Sequence, residues 1–114
     1  MDRVAFVMNV KEGEEEEYIR RHAEVWPEIL ADMEEAGVQQ MNIFMHGRQL
    51  LLYMEVEDYI EASRVLAERP DSLRWEEYMA PIMEDAGGEN YDPANPYPES
   101  LPEVFYWRKG EKGV

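Results

Sequence analysis

Two kinds of apolar spacing alternate along this chain of 114 residues, and their order limits the folds it can adopt. Val4 to Val10 puts Val4, Phe6, Met8 and Val10 on one side and Ala5, Val7 and Asn9 on the other, as in a strand with both faces partly covered. Lys11-Glu12-Gly13 is a turn, and Glu14 to Glu17 places acids at the positive end of a helix. From Tyr18 the spacing becomes helical, through His22, Val25, Trp26, Ile29, Leu30 and Met33. Pro27, which lacks an N–H and disfavours a helical residue before it, must interrupt or restart this helix, and Gly37 ends it. Val38–Met45 and Leu50–Val56 are strand-like and are joined through His46-Gly47-Arg48-Gln49 as a hairpin. Tyr59 to Glu68 forms a helix closed by Arg69-Pro70. Asp71 or Ser72 then caps another, with Trp75, Tyr78, Met79, Ile82 and Met83 on its face. Glu103 to Trp107 reads as a last strand. Strand, helix, strand, strand, helix, strand is the split βαβ or ferredoxin-like pattern, an α+β fold with helices on one face of an antiparallel sheet.

Such a sheet leaves one face without helices. Phe6, Met8, Phe44, Leu52 and Met54 need burial, so a homodimer packed sheet on sheet is expected. Residues 85–102, rich in Gly, Pro, Asn and Tyr, are either disordered or a segment closing over a site. The length suits one domain spanning 1–114.

Composition narrows the function. Hydrophobic residues make up 45% of the chain, enough to fold, yet no run approaches the roughly 20 apolar residues of a membrane span. The chain opens without a basic region followed by an apolar stretch, so no secretory leader is expected and a cytoplasmic location is. Without cysteine, neither disulfides nor thiolate chemistry is available. The two histidines, His22 and His46, form no metal-ligand pair, and no carboxylates are spaced like a calcium loop. A net charge of −15 argues against nucleic acid and anionic membranes as partners. It reads as a solvated acidic surface or as adaptation to high salt.

His22 carries the chemistry. It sits on the apolar stripe one turn beyond Tyr18, and an imidazole titrating near neutrality can give and take a proton within one turnover. The alternative is a core histidine satisfied by a backbone carbonyl, with Tyr18 as packing. Trp26, Trp75 and Trp107, with Tyr53, Tyr78, Tyr91, Tyr97 and Tyr106, are many large rings for so short a chain. Sugar C–H faces stack on such rings, although Trp26 and Tyr78 read as core anchors. His46 is expected in an exposed turn, and Arg20 in an i,i+4 pair with Glu24.

These residues also resemble a known family. Ala5-Phe6-Val7-Met8, Tyr18 through Arg20-Arg21-His22, and Trp26-Pro27-Glu28 are similar to the L-rhamnose mutarotases. The likeness continues through Gly37, Asn42-Ile43-Phe44, Arg74-Trp75, Tyr78-Met79 and Glu103-Val104-Phe105, with Tyr-x-x-x-His-x-x-x-Trp-Pro-Glu as its specific part. The resemblance implies a dimeric α/β barrel with one pocket per subunit, no metal or cofactor, His22 as general acid and Tyr18 on the sugar. The activity implied is exchange of the α and β anomers of an aldose, an isomerisation of a small monosaccharide. Two positions depart from the family. Met41 stands where a tyrosine is usual, and Glu76 stands where a second tryptophan follows Trp75. A different or more hydroxylated sugar than L-rhamnose is therefore expected, with Met41, Trp75 and Glu76 at the pocket. Glu76 either hydrogen-bonds the sugar or shares the acid–base work, or else points to solvent. Rival readings are a monooxygenase or haem-binding protein of the same fold, or a non-catalytic sugar- or protein-binding module.

Overall fold

The computed structural model describes residues 1–111. Its elements are β1 (Asp2–Val10), α1 (Glu15–Ala23), α2 (Pro27–Glu35), β2 (Val38–His46), β3 (Gln49–Val56), α3 (Tyr59–Glu68), α4 (Pro70–Met79) and β4 (Met83–Glu84). The sheet runs β2-β3-β1-β4, antiparallel at every pairing, which is the ferredoxin-like α+β order.

Alternation along the inner strands decides what the sheet buries. Val4, Phe6, Met8 and Val10 from β1 and Leu50, Leu52, Met54 and Val56 from β3 all point to the covered face, none more than 9% exposed. The register lines them up in rows that continue onto β2: Met41–Met54–Val4, Ile43–Leu52–Phe6 and Met45–Leu50–Met8. Over these rows lie Tyr18 of α1, Ile29 of α2, Ala62 of α3 and Trp75 and Met79 of α4. The protomer's own helices thus bury Phe6, Met8, Leu52 and Met54, which sequence patterning had assigned to a partner. Of that set only Phe44 is left out, at 61% exposure on the opposite face.

Pro27 acts as anticipated. It is the first residue of α2, with Trp26 extended before it, so the helical stretch becomes two helices meeting at an angle set by residues 24–26. Gly37 follows α2 at φ +92°, and a Cβ there would stand 3.3 Å from Glu57 Oε2. Gly47, at φ +61°, makes the tight β2–β3 loop with Arg48.

Three expectations need correction. Asp71 and Ser72 do not cap α4; the helix starts at Pro70 with Arg69 before it and has no side-chain cap. Ser72 is turned inward instead, donating to Asp32 Oδ2 at 3.0 Å in the core. Ile82 and Met83 leave the helical face, Ile82 in a 3-10 turn and Met83 in β4. The fourth strand is Met83–Glu84 rather than Glu103–Trp107. The chain leaving α4 arrives directly at the free end of β1, where Lys11 N–H donates to Ile82 O, and it takes up Asn9 and Val10. The later segment touches β1 only lower down: Leu101 N–H donates to Ala5 O at 2.7 Å, and Arg3 pairs with Glu103 at 2.7 Å. Beyond that point Val104, Phe105 and Trp107 are 92%, 82% and 69% exposed.

Candidate active site

Arg21 links α1 to α4. Its Nη1 donates to the Tyr78 carbonyl at 2.6 Å, its guanidinium lies 4.0 Å over the Tyr78 ring, and its Nε donates to Glu17. Arg20 bridges Glu17 and Glu24 on the outer side of α1, and His46 is exposed at the β2–β3 turn.

The inner side of the same helix faces a cavity of about 230 Å³ between the helices and the sheet. Tyr18 and His22, one turn apart, stack with ring centroids 4.2 Å apart. His22 meets the edge of Trp75 at 5.6 Å, and Trp26 closes on Trp75 at 5.2 Å and stacks on Tyr78 at 5.4 Å. Met41 faces the cavity from β2, and Glu76 from α4. All five residues singled out in the sequence, His22, Tyr18, Met41, Trp75 and Glu76, therefore line one space.

Sequence reasoning did not place three others there. Residues 85–98 leave β4, cross the cavity and bring Tyr91, Pro96 and Tyr97 to its wall. The segment is held at its start by Asn9 Nδ2 on Asp85 O and at its end by Tyr59 O–H on Pro98 O. Tyr91 O–H donates to Glu76 Oε2 at 2.5 Å. Two tyrosines in a run otherwise of Pro, Asn, Asp and Ala were the available signal; without periodicity, nothing said which way they faced.

The cavity sets the charges of its polar groups. Among the described residues no lysine or arginine lines it, and most of its wall is apolar. Burial pushes the Glu76 carboxyl up to about 7, only partly offset by the Tyr91 hydroxyl. Burial lowers the His22 imidazole, against the smaller opposing effect of the Tyr18 carbonyl. Tyr18, Tyr91 and Tyr97 are all raised, first by burial, so they stay neutral phenols. His22 Nδ1 lies 3.2 Å from Tyr18 O. A carbonyl only accepts, so Nδ1 carries the proton and Nε2 of the neutral ring has the lone pair.

Glu76 has a consequence for folding. Its folded value, about 7, lies above the 4.5 of an open chain, so the folded protein holds this proton more tightly. Its contribution is therefore most favourable below about pH 4.5 and declines as pH rises to about 7. Urea midpoints measured across that window are expected to fall less in Glu76→Gln than in the unsubstituted protein. Parallel curves would mean that Glu76 titrates normally.

In this small ferredoxin-like α+β protein a neutral imidazole and a raised carboxyl face one largely apolar, ring-walled space, an arrangement that can give and take protons on an uncharged ligand. Among the described residues no three His, Asp or Glu side chains gather as a metal-holding group. Comparison with known proteins gives the family. The sequence profile of L-rhamnose mutarotase matches residues 3–107, and the chain belongs to that family. It is 38% identical over 109 residues to the L-rhamnose mutarotase of Listeria monocytogenes serovar 1/2a, covering 93% of this chain and 98% of the relative. It is 32% identical over 108 residues to that of Oceanobacillus iheyensis, with the same coverage of each. Among solved structures, L-rhamnose mutarotase FA22100 from Formosa agariphila superposes with a TM-score of 0.77 at 27% identity, covering 95% of this chain and 100% of that one.

Proposed function

We propose that the protein is a cofactor-free mutarotase that exchanges the α and β anomers of L-rhamnose or a closely related aldose, with residues 1–114 acting as one domain. The observation that carries this reading is His22, held in one tautomer by the Tyr18 carbonyl with its other nitrogen free for a ligand in the cavity. Anomer exchange breaks the bond from C1 to the ring oxygen, which takes up a proton, while the anomeric hydroxyl gives one up. Rotation about C1–C2 presents the other carbonyl face, and closure reverses the transfers. Positioned acid–base groups supply about 10²–10⁴ each to such a step. Trp75 offers a ring to the sugar's C–H face, and Tyr18 a hydroxyl. Phe6, Met8, Met41, Ile43 and Leu52 form an apolar floor suited to the methyl group of a 6-deoxy sugar. Met41, a poor hydrogen-bond partner, bears on which sugar fits best.

The test is saturation-difference NMR of anomer exchange on L-rhamnose, L-fucose, D-galactose, D-glucose and D-ribose. L-rhamnose is expected to be accelerated most, against the different sugar that Met41 and Glu76 suggested in the sequence, because the apolar floor suits its methyl group. No acceleration of any sugar would overturn the assignment.

We also infer a homodimer in the cytoplasm. Phe44 and Leu51, 61% and 39% exposed on the uncovered sheet face, and the exposed Val104, Phe105 and Trp107 are the apolar surface it would cover. Each protomer carries −15, so self-association opposes its own charge. Sedimentation is expected to show tighter dimers at 0.5 M than at about 0.05 M NaCl, where screening lengths are roughly 4 and 14 Å. A monomer at both salts would remove the dimer. No described helix is long and apolar enough to cross a membrane, and a chain without cysteine is at home in a reducing compartment.

A further inference from the structure

We propose that Glu76 is the second proton-transfer group of the reaction, giving its proton to the ring oxygen while His22 Nε2 takes the proton of the anomeric hydroxyl. This rests on the mutarotase reading and deepens it: the resemblance by itself gave His22 the acid role and offered nothing for Glu76.

The placement of both groups supports the assignment. Glu76 and His22 come from different helices and line the same cavity. Tyr91 O–H occupies Glu76 Oε2, and Oε1 has no hydrogen-bond partner among the described residues, so one carboxyl oxygen is held and the other is free for a ligand. The groups facing the carboxyl are phenols or the imidazole: Tyr18 and His22 from α1, Tyr91 and Tyr97 from the crossing segment. The sheet contributes only apolar side chains, and among the described residues no lysine or arginine lines the space to fix Glu76 as a carboxylate. The protonated form is therefore accessible at neutral pH. His22, with Nδ1–H committed to Tyr18 O, is left with a lone pair on Nε2 and is a base rather than an acid in its resting state.

The step balances without a further reactant. As the C1–O5 bond breaks, its electron pair goes to O5, which receives the Glu76 proton. The O1–H proton passes to His22 Nε2, and its bond pair becomes the second bond of the carbonyl. An imidazolium and a carboxylate then face the open-chain aldehyde. After rotation about C1–C2 the carboxylate removes the proton from O5, the imidazolium returns one to O1, and the resting pair is restored. Burial that keeps a carboxyl protonated beside a neutral imidazole, the reverse of their usual order, gives one group a proton to donate and the other a lone pair to accept one.

Anomer exchange of L-rhamnose is measured against pH in the unsubstituted protein, Glu76→Gln and Tyr91→Phe. The unsubstituted rate is expected to decline above about pH 7, as Glu76 loses its proton. Glu76→Gln is expected to lose about 10²-fold or more of the rate, with KM changed only a few-fold, and to lose that decline. Tyr91→Phe removes a hydrogen bond that favours the carboxylate, so the decline is expected to move to higher pH. Nitrogen-15 shifts are expected to show neutral His22 protonated on Nδ1. An active enzyme whose rate and pH profile survive Glu76→Gln overturns the role of Glu76 and leaves the mutarotase reading standing. Should that variant not fold, an unmoved decline in Tyr91→Phe overturns it equally. Neutral His22 protonated on Nε2 overturns the division of roles. An unsubstituted protein that accelerates no sugar overturns both readings.

Discussion

Replacing His22 with glutamine is expected to lower the rate of L-rhamnose anomer exchange by about 10²–10⁴ while leaving the fold and sugar binding in place. Glutamine is close in size to the imidazole and has high helix propensity, so α1 should hold its shape. What it cannot do is accept and return a proton near neutral pH. The loss should therefore fall on kcat, with KM changed only a few-fold. Saturation-difference NMR reads the rate and one-dimensional ligand spectra read the binding. A variant as fast as the parent would take the chemistry away from His22 and return that side chain to the role of a packed, carbonyl-bonded histidine.

The largest effect on stability is expected at Leu50, whose side chain is completely buried in the Met45–Leu50–Met8 row. Leu50→Ala should cost about 2–5 kcal/mol, the removed methyl groups plus the cavity they leave. β3 lies between β1 and β2, so neither neighbour can move in without breaking a ladder, and the upper part of that range applies. Urea unfolding should show the midpoint falling with little change in slope. By contrast, removing the exposed Arg3–Glu103 pair should leave the urea midpoint nearly unchanged.

Much of this architecture was legible because local rules and packing agreed. β1, the break at Pro27, the hairpin about Gly47 and the Tyr59–Glu68 helix follow from periodicity, a missing N–H and a turn that needs φ > 0. The last strand misled because Val104-Phe105-Tyr106-Trp107 has the residues a strand favours, whereas β4 is two residues selected by where α4 ends. Strand propensity reports a half-buried surface, and here the protomer alone offers none. In the site, Tyr18, His22 and Trp75 were legible from helical spacing, and Met41 and Glu76 from their departure from the family pattern. Tyr91 was not, since its approach to Glu76 depends on how a segment without regular structure crosses the cavity.

The absence of lysine and arginine from the cavity wall, among the described residues, bears on the charge of what can bind there. A sugar phosphate or uronate would bring negative charge to a protein of −15 and find beside it a carboxyl, three phenols and no counter-ion. On the function proposed for it, a site lined this way favours a neutral sugar over the same sugar carrying a phosphate or a carboxylate.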